Sequence, residues 1–104
     1  MTTTADIIKA YMLKRGYSQH NMKGKSYRSI ARAIGISPIA FYRFLGNDLN
    51  LKEENLLKLC NLLDIDYPAL MLIEGVLVGR FHTRLYAEGM DLILADLQGD
   101  KESV

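Results

Sequence analysis

From the N-terminus to residue 74, apolar residues recur at three- and four-residue intervals, with polar breaks between the runs. That spacing lines one face of a helix, and it predicts a string of amphipathic helices. Thr3 or Thr4 offers a cap for the first, Asp6 suits its positive end, and Ile8, Tyr11 and Met12 form a stripe running to Gly16. The period lapses over Gly16 to Ser26 (GYSQHNMKGKS), a polar loop that is long for a helix connection. Ser26 caps a second helix, with Tyr27, Ile30, Ala31 and Ile34 on one face and Arg28 and Arg32 on the other. Gly35 ends it, and Ser37-Pro38 restarts the chain with a capping hydroxyl followed by proline at the first helical position. The third helix runs to about Leu45, burying Phe41, Phe44 and Leu45, and Gly46, Asn47 and Asp48 break it. A fourth helix spans about Lys52 to Asp64, with Leu56, Leu59, Cys60 and Leu63 inward and Glu53 and Glu54 in its first turn. Asp66 and Pro68 open a short fifth helix through Glu74, closed by Gly75.

Beyond Gly75 the period changes. Leu77, Phe81, Leu85 and Ala87 share one parity with Gly79 and Thr83, while Arg80, His82 and Arg84 take the other. Alternation of this kind argues for a half-buried strand, with a turn at Glu88-Gly89 and a returning partner over Met90 to Leu97. A sixth helix over the same residues competes with it, because short apolar runs fit both periods. The hairpin is the favoured reading. The expected organisation is therefore mainly α: five helices over 1–75, an extension over 76–98 and a flexible tail over 99–104.

The length, 104 residues, suits one compact domain, and a composition of 49% hydrophobic and 24% charged residues is that of an ordinary globular chain. Cys60 is the lone cysteine, so no internal disulfide forms, as in a reducing compartment. Met1 to Lys9 has neither a basic start nor a long apolar run, so no signal peptide is expected. The most apolar window, Pro68 to Gly79, contains Glu74 and is too short to span a bilayer. The expected location is the cytoplasm, in association with the nucleoid. No metal-ligand spacing, phosphate-cradling glycine loop or nucleophile–base pair accompanies His20, His82 and Cys60. Asp64 and Asp66 read as capping acids at a helix end. The expectation is a non-enzyme without cofactor, metal or evident small-molecule effector. Charge changes the picture more than composition does. Residues 1–47 carry eight basic side chains against one acidic, a net +7, and residues 48–104 carry five against eleven, a net −6. One half suits a polyanion and the other does not.

Inside the basic half, two short helices meet at Gly35. Ala31 is small enough for a close crossing, and Ile30, Ile34, Ile36, Phe41 and Phe44 can fill the wedge between them. Such a corner leaves its second helix projecting, free to enter a major groove. The run SYRSIARAIGISPIAFYRFLGN, followed by LKEENLLKLCNLLDID, resembles the lambda-repressor-like or XRE helix-turn-helix family of phage and bacterial repressors. Ala31, Gly35, Ile36, Ser37, Phe41, Arg43 and Phe44 occupy that family's signature slots, and the resemblance covers about Ala5 to Glu74. It implies a five-helix fold and dimeric binding of double-stranded DNA at a palindromic operator.

The resemblance places Ser37, Pro38, Ile39, Tyr42 and Arg43 on the base-reading face. Arg43 fits either a bidentate guanine contact or a phosphate. Tyr42 suits a phosphate, a thymine methyl or a half-buried site, and Ser37 serves as a cap in any case. The family often carries Gln or another polar residue where Pro38 and Ile39 stand, which limits those two to apolar contact and shares the burden with DNA shape. Lys23, Lys25, Ser26, Tyr27, Arg28, Arg32 and Asn47 are the candidate phosphate contacts. The stretch holding His20, Lys23 and Lys25 departs from the family and serves either as a basic arm or as a solvated loop. Val76, Val78, Phe81, Leu85, Leu92, Ile93 and Leu94 exceed what a five-helix core needs, and they are the candidate homodimer interface. The main expectation is a sequence-specific transcriptional regulator. The alternatives are an antitoxin-like or accessory interaction module, and the DNA-targeting subunit of a recombination or replication complex.

Overall fold

The computed structural model describes residues 1–20 and 23–99. Among them six helices follow in order: α1 (Thr4–Lys14), α2 (Tyr27–Ile34), α3 (Pro38–Leu45), α4 (Glu53–Leu63), α5 (Tyr67–Leu77) and α6 (Arg84–Gly99). No strand forms among the described residues; Ser18 and Ser26 share an isolated parallel bridge. The expected α class holds. No helix among the described residues is long and apolar enough to cross a membrane.

The chain divides into two compact units, one over Thr4–Ile65 and one from Asp66 onward. The division lies N-terminal to the boundary expected at residue 75, and α5 belongs wholly to the second unit. In the first unit, α1 and α2 each touch both α3 and α4. Ile8, Tyr11, Met12, Ile30, Ala31, Ile34, Phe41, Phe44, Leu56, Leu59 and Leu63 are buried, with Cys60 among them as a core thiol. The helix ends are closed by local chemistry. Ser37 Oγ accepts from the Ala40 amide at 3.1 Å, and Ser26 with Ser29 forms a reciprocal capping box. Arg15, just past α1, donates through Nε to Leu63 O (2.8 Å) and through Nη2 to Asp64 O (3.1 Å). A guanidinium there answers the negative end of α4 and its orphan carbonyls. Asp64, in a left-handed conformation, caps α4, so one of the two expected capping acids stands at a helix C-terminus.

The second unit corrects the expected hairpin. Residues 84–99 form α6, which packs on α5. Asp66 caps α5, its Oδ1 accepting from the Ala69 amide at 3.1 Å. Gly75 does not close α5; the helix runs through it to Leu77 and ends at Gly79, whose φ is +80°. The amides of Gly79 and Arg80 donate to Val76 O and Gly75 O, the bond pair that a left-handed residue makes possible at a helix end. The alternation of residues 77–87 is thus produced by a helix end, a loop and a helix start in succession. Gly89 makes no turn either. It is buried inside α6, where a Cβ would lie 2.8 Å from Ala69 O and 2.8 Å from Ile73 Cγ1. Leu85, Gly89, Ile93 and Leu97 recur every four residues, a helical stripe whose smallest member sits at the crossing with α5. Gly99 ends α6, and the remainder of the expected tail, 100–104, lies outside the described residues, as do Asn21 and Met22 of the expected loop.

Candidate nucleic-acid interface

The candidate site lies in the first unit. Gly35, at φ +82°, ψ +27°, closes α2, with its own amide bonded to Arg32 O and the Ile36 amide to Ala31 O. Two residues later Ser37 caps α3 and Pro38 enters at its first position. Buried Ile30, Ala31 and Ile34 on α2 and Phe41 and Phe44 on α3 hold the corner, the two rings stacking at 6.2 Å. The sequence signals at the two ends of this turn are thus met by the backbone.

The amphipathic pattern of α3 decides what faces outward. Phe41, Phe44 and Leu45 are inside, leaving Ile39 (73% exposed), Tyr42 (37%) and Arg43 outside. The isoleucine stands in the middle of the expected base-reading face. Ser37 is exposed and Pro38 half-buried. The Tyr42 ring leans on Tyr27 of α2, with centroids 6.4 Å apart and planes tilted by 50°. Tyr42 is therefore in part braced by the corner and in part open to solvent. The five expected base-facing residues come together on or beside one helix.

Arg43 is not a bare side chain. Its Nε donates to Asp48 Oδ2 at 3.2 Å and its Nη2 to Asp48 O at 3.3 Å. Asp48 was expected only to help break the helix; the Arg43…Asp48 spacing of five residues is one that a continuous helix does not bring face to face. The turn after α3 does so. Asn47 adopts φ +62°, its amide donates to Phe44 O, and the Asp48 amide donates to Arg43 O at 2.8 Å. Asn47, expected at a phosphate, is exposed and also supplies the left-handed residue of this turn.

The expected phosphate contacts divide. Arg28 and Arg32 are exposed on α2, and Tyr27 and Ser26 are half-buried at its start. Ser26 Oγ is already engaged with the Ser29 amide at 3.1 Å. Lys23 is exposed. Lys25 is exposed as well but engaged, its Nζ donating to Arg15 O at 3.1 Å and lying 5.6 Å from the Tyr17 ring centre. With the Ser18 amide bonded to Lys25 O, it ties the segment to the end of α1. Of the expected dimer residues, all in the second unit, Val78, Phe81, Leu92 and Leu94 are exposed, and Val76 and Leu85 are half-buried. Ile93 is fully buried and is not available to a second chain. Phe81 lies over Gly75, where a Cβ would fall within its ring.

Among the described residues no group of His, Cys, Asp and Glu is arranged to hold a metal ion. Comparison of the chain with family models, with curated proteins and with solved structures returned no match.

Proposed function

We propose that the chain is a sequence-specific DNA-binding transcriptional regulator of the repressor type, built on a lambda-repressor-like helix-turn-helix. In this reading α2 rests on the phosphate backbone, with Arg28 and Arg32 beside it, and α3 enters the major groove. The observation that carries the proposal is the outward face of α3: Ile39, Tyr42 and Arg43 project from a helix whose other side is locked into the core. A singly exposed isoleucine is ordinary on a protein surface, as the exposed Leu13 of α1 is. On DNA Ile39 has a use, because thymine methyl groups line the major groove.

Charge supports the same assignment. Over residues 4–65 ten basic side chains face five acidic ones, a net +5, whereas residues 66–104 carry three against seven, a net −4. The first unit is the polyanion-binding part. The second supplies the homodimer contact in this proposal, through Val78, Phe81, Leu92 and Leu94, so that two copies of α3 read a palindromic site. The chain acts in the cytoplasm, at the nucleoid.

Enrichment of a random double-stranded DNA pool on the 104-residue chain tests the reading. The expected result is a short palindromic motif, lost or degraded with Arg43→Ala. Affinity for the enriched duplex should fall with salt, the log–log slope rising by about 0.9 for each phosphate contact. No enrichment at low salt would overturn the assignment.

A further inference from the structure

Resting on the reading just given, we infer that Asp48 is the positioning residue that sets the base preference of Arg43, by holding one fork of its guanidinium so that the other faces the groove. The bonds from Asn47 N to Phe44 O and from Asp48 N to Arg43 O close α3 in the left-handed pattern that normally brings an apolar pair together at these two positions. Here the same backbone brings Arg43 and Asp48 together, and the pair is ionic: Nε to Oδ2 at 3.2 Å, Nη2 to the Asp48 carbonyl at 3.3 Å. The carboxylate is thus delivered to Arg43 by three consecutive residues of turn, independently of any long-range packing.

The donor count gives the consequence. A guanidinium has five N–H donors in a planar fork. Asp48 takes the hydrogen on Nε and one on Nη2, which together form the side edge of the plane. Both hydrogens of Nη1 and the second of Nη2 remain; one from each nitrogen forms the end edge, and the other Nη1 hydrogen points back along the side chain. That edge matches the O6 and N7 acceptors of guanine in the major groove. An arginine with both edges free can swing to a phosphate; one with its side edge held presents its end edge in a narrower range of directions, at a smaller entropy cost on binding. Both side chains stay more than half exposed, 54% for Arg43 and 75% for Asp48, so the free edge is accessible. The pair is also too exposed to serve as a folding device, because exposed ion pairs stabilise little. A carboxylate beside an expected phosphate-facing helix costs affinity by repulsion, and orientation of Arg43 is what it offers in exchange.

The test enriches one random duplex pool in parallel on wild-type protein, Arg43→Ala, Asp48→Ala and Asp48→Asn. Wild type is expected to show a guanine position that becomes degenerate in Arg43→Ala. In Asp48→Ala the preference at that same position should fall by about three- to fivefold, the scale that an exposed ion pair can supply, with the other positions kept. Asp48→Asn retains an acceptor oxygen and should retain the guanine, while binding all duplexes more tightly through loss of the negative charge. Helix content and melting temperature, read alongside, should match wild type in both Asp48 variants. If Asp48→Ala keeps or sharpens the guanine while Arg43→Ala loses it, Asp48 is no positioning residue and the inference fails with the DNA-binding reading intact. A uniform loss across all duplexes in Arg43→Ala makes Arg43 a phosphate contact and overturns the inference. If wild type enriches nothing, the regulator assignment falls with it.

Discussion

In the unit over Thr4–Ile65, Gly16 and Gly35 have φ values of +86° and +82° and stand within two residues of the ends of α1 and α2, as Gly79 (+80°) does at the end of α5. In the unit from Asp66 onward, Gly75 and Gly89 stand inside helices, buried, where a side chain would collide with Phe81 or with α5. The first kind of glycine is there for its backbone freedom, the second for its missing Cβ. The units differ in charge as well, net +5 against net −4. They differ again in what they leave exposed. The basic unit spreads its exposed large apolar residues over α1 (Leu13), α3 (Ile39 and Tyr42) and α4 (Leu57 and Leu62), and the acidic unit shows Val78, Phe81, Leu92 and Leu94 across the end of α5, a loop and α6. The comparison teaches that one residue type carries opposite structural meanings within a single chain, and that the helix period around it tells them apart.

Substitutions put that contrast to the test. Phe41→Ala removes a fully buried ring from the basic unit and should cost about 3–5 kcal/mol, read as a large drop in the urea midpoint. Gly89→Ala inserts a methyl against Ala69 O and Ile73, neither of which can turn aside, and overpacking of that kind costs about 1–3 kcal/mol. Gly75→Ala separates the two senses of glycine most sharply. The atoms nearest its methyl all belong to the ring of Phe81, a residue 44% exposed whose side chain can swing out, while the helix gains about 1 kcal/mol of propensity. Gly75→Ala should therefore be close to neutral in thermal unfolding; a loss as large as that of Gly89→Ala would show that the ring is fixed. Ser37→Ala should cost about 1 kcal/mol by stripping the cap of α3. Arg15→Ala, which leaves Leu63 O and Asp64 O to water, should cost a similar or smaller amount, about 0.5–1 kcal/mol by denaturant titration.

Much of the basic unit was legible in the chain. Ser26, Gly35, Ser37 and Pro38 are punctuation with local causes, so the α2–α3 corner could be placed from hydroxyl caps and one glycine. The outward position of Tyr42 and Arg43 followed from Phe41 and Phe44 having to point in. Two features of the site were not legible. The Arg43–Asp48 pair depends on a left-handed Asn47, and a spacing of five does not announce a contact until the turn type is known. Lys25 looked like one more basic residue in a polar loop, but its ammonium group binds a carbonyl at the end of α1.

Residues 76–97 were misread for a reason that the same principle explains. Parity matched a strand through Leu77, Phe81 and Leu85 only because a helix end, a short loop and a helix start happened to place apolar residues at even steps. Glu88-Gly89 imitated a hairpin turn. The four-residue stripe Leu85, Gly89, Ile93 and Leu97 is also in the sequence, but a glycine is recognised as part of an apolar stripe only when the surface pressed against it is known.

What the sequence alone determined is the set of choices made within a few residues: the helical class, the caps, the corner at Gly35 and the separation of charge between the two ends of the chain. These rest on backbone torsions and on hydrogen bonds to near neighbours, which the neighbours themselves dictate. Tertiary structure alone decided that α6 is a helix packed on α5, that Gly75 and Gly89 are contact points, and that Ile93 is core. Those outcomes depend on which surfaces approach one another across long stretches of chain, and hydrophobic attraction, being non-directional, leaves that choice to shape.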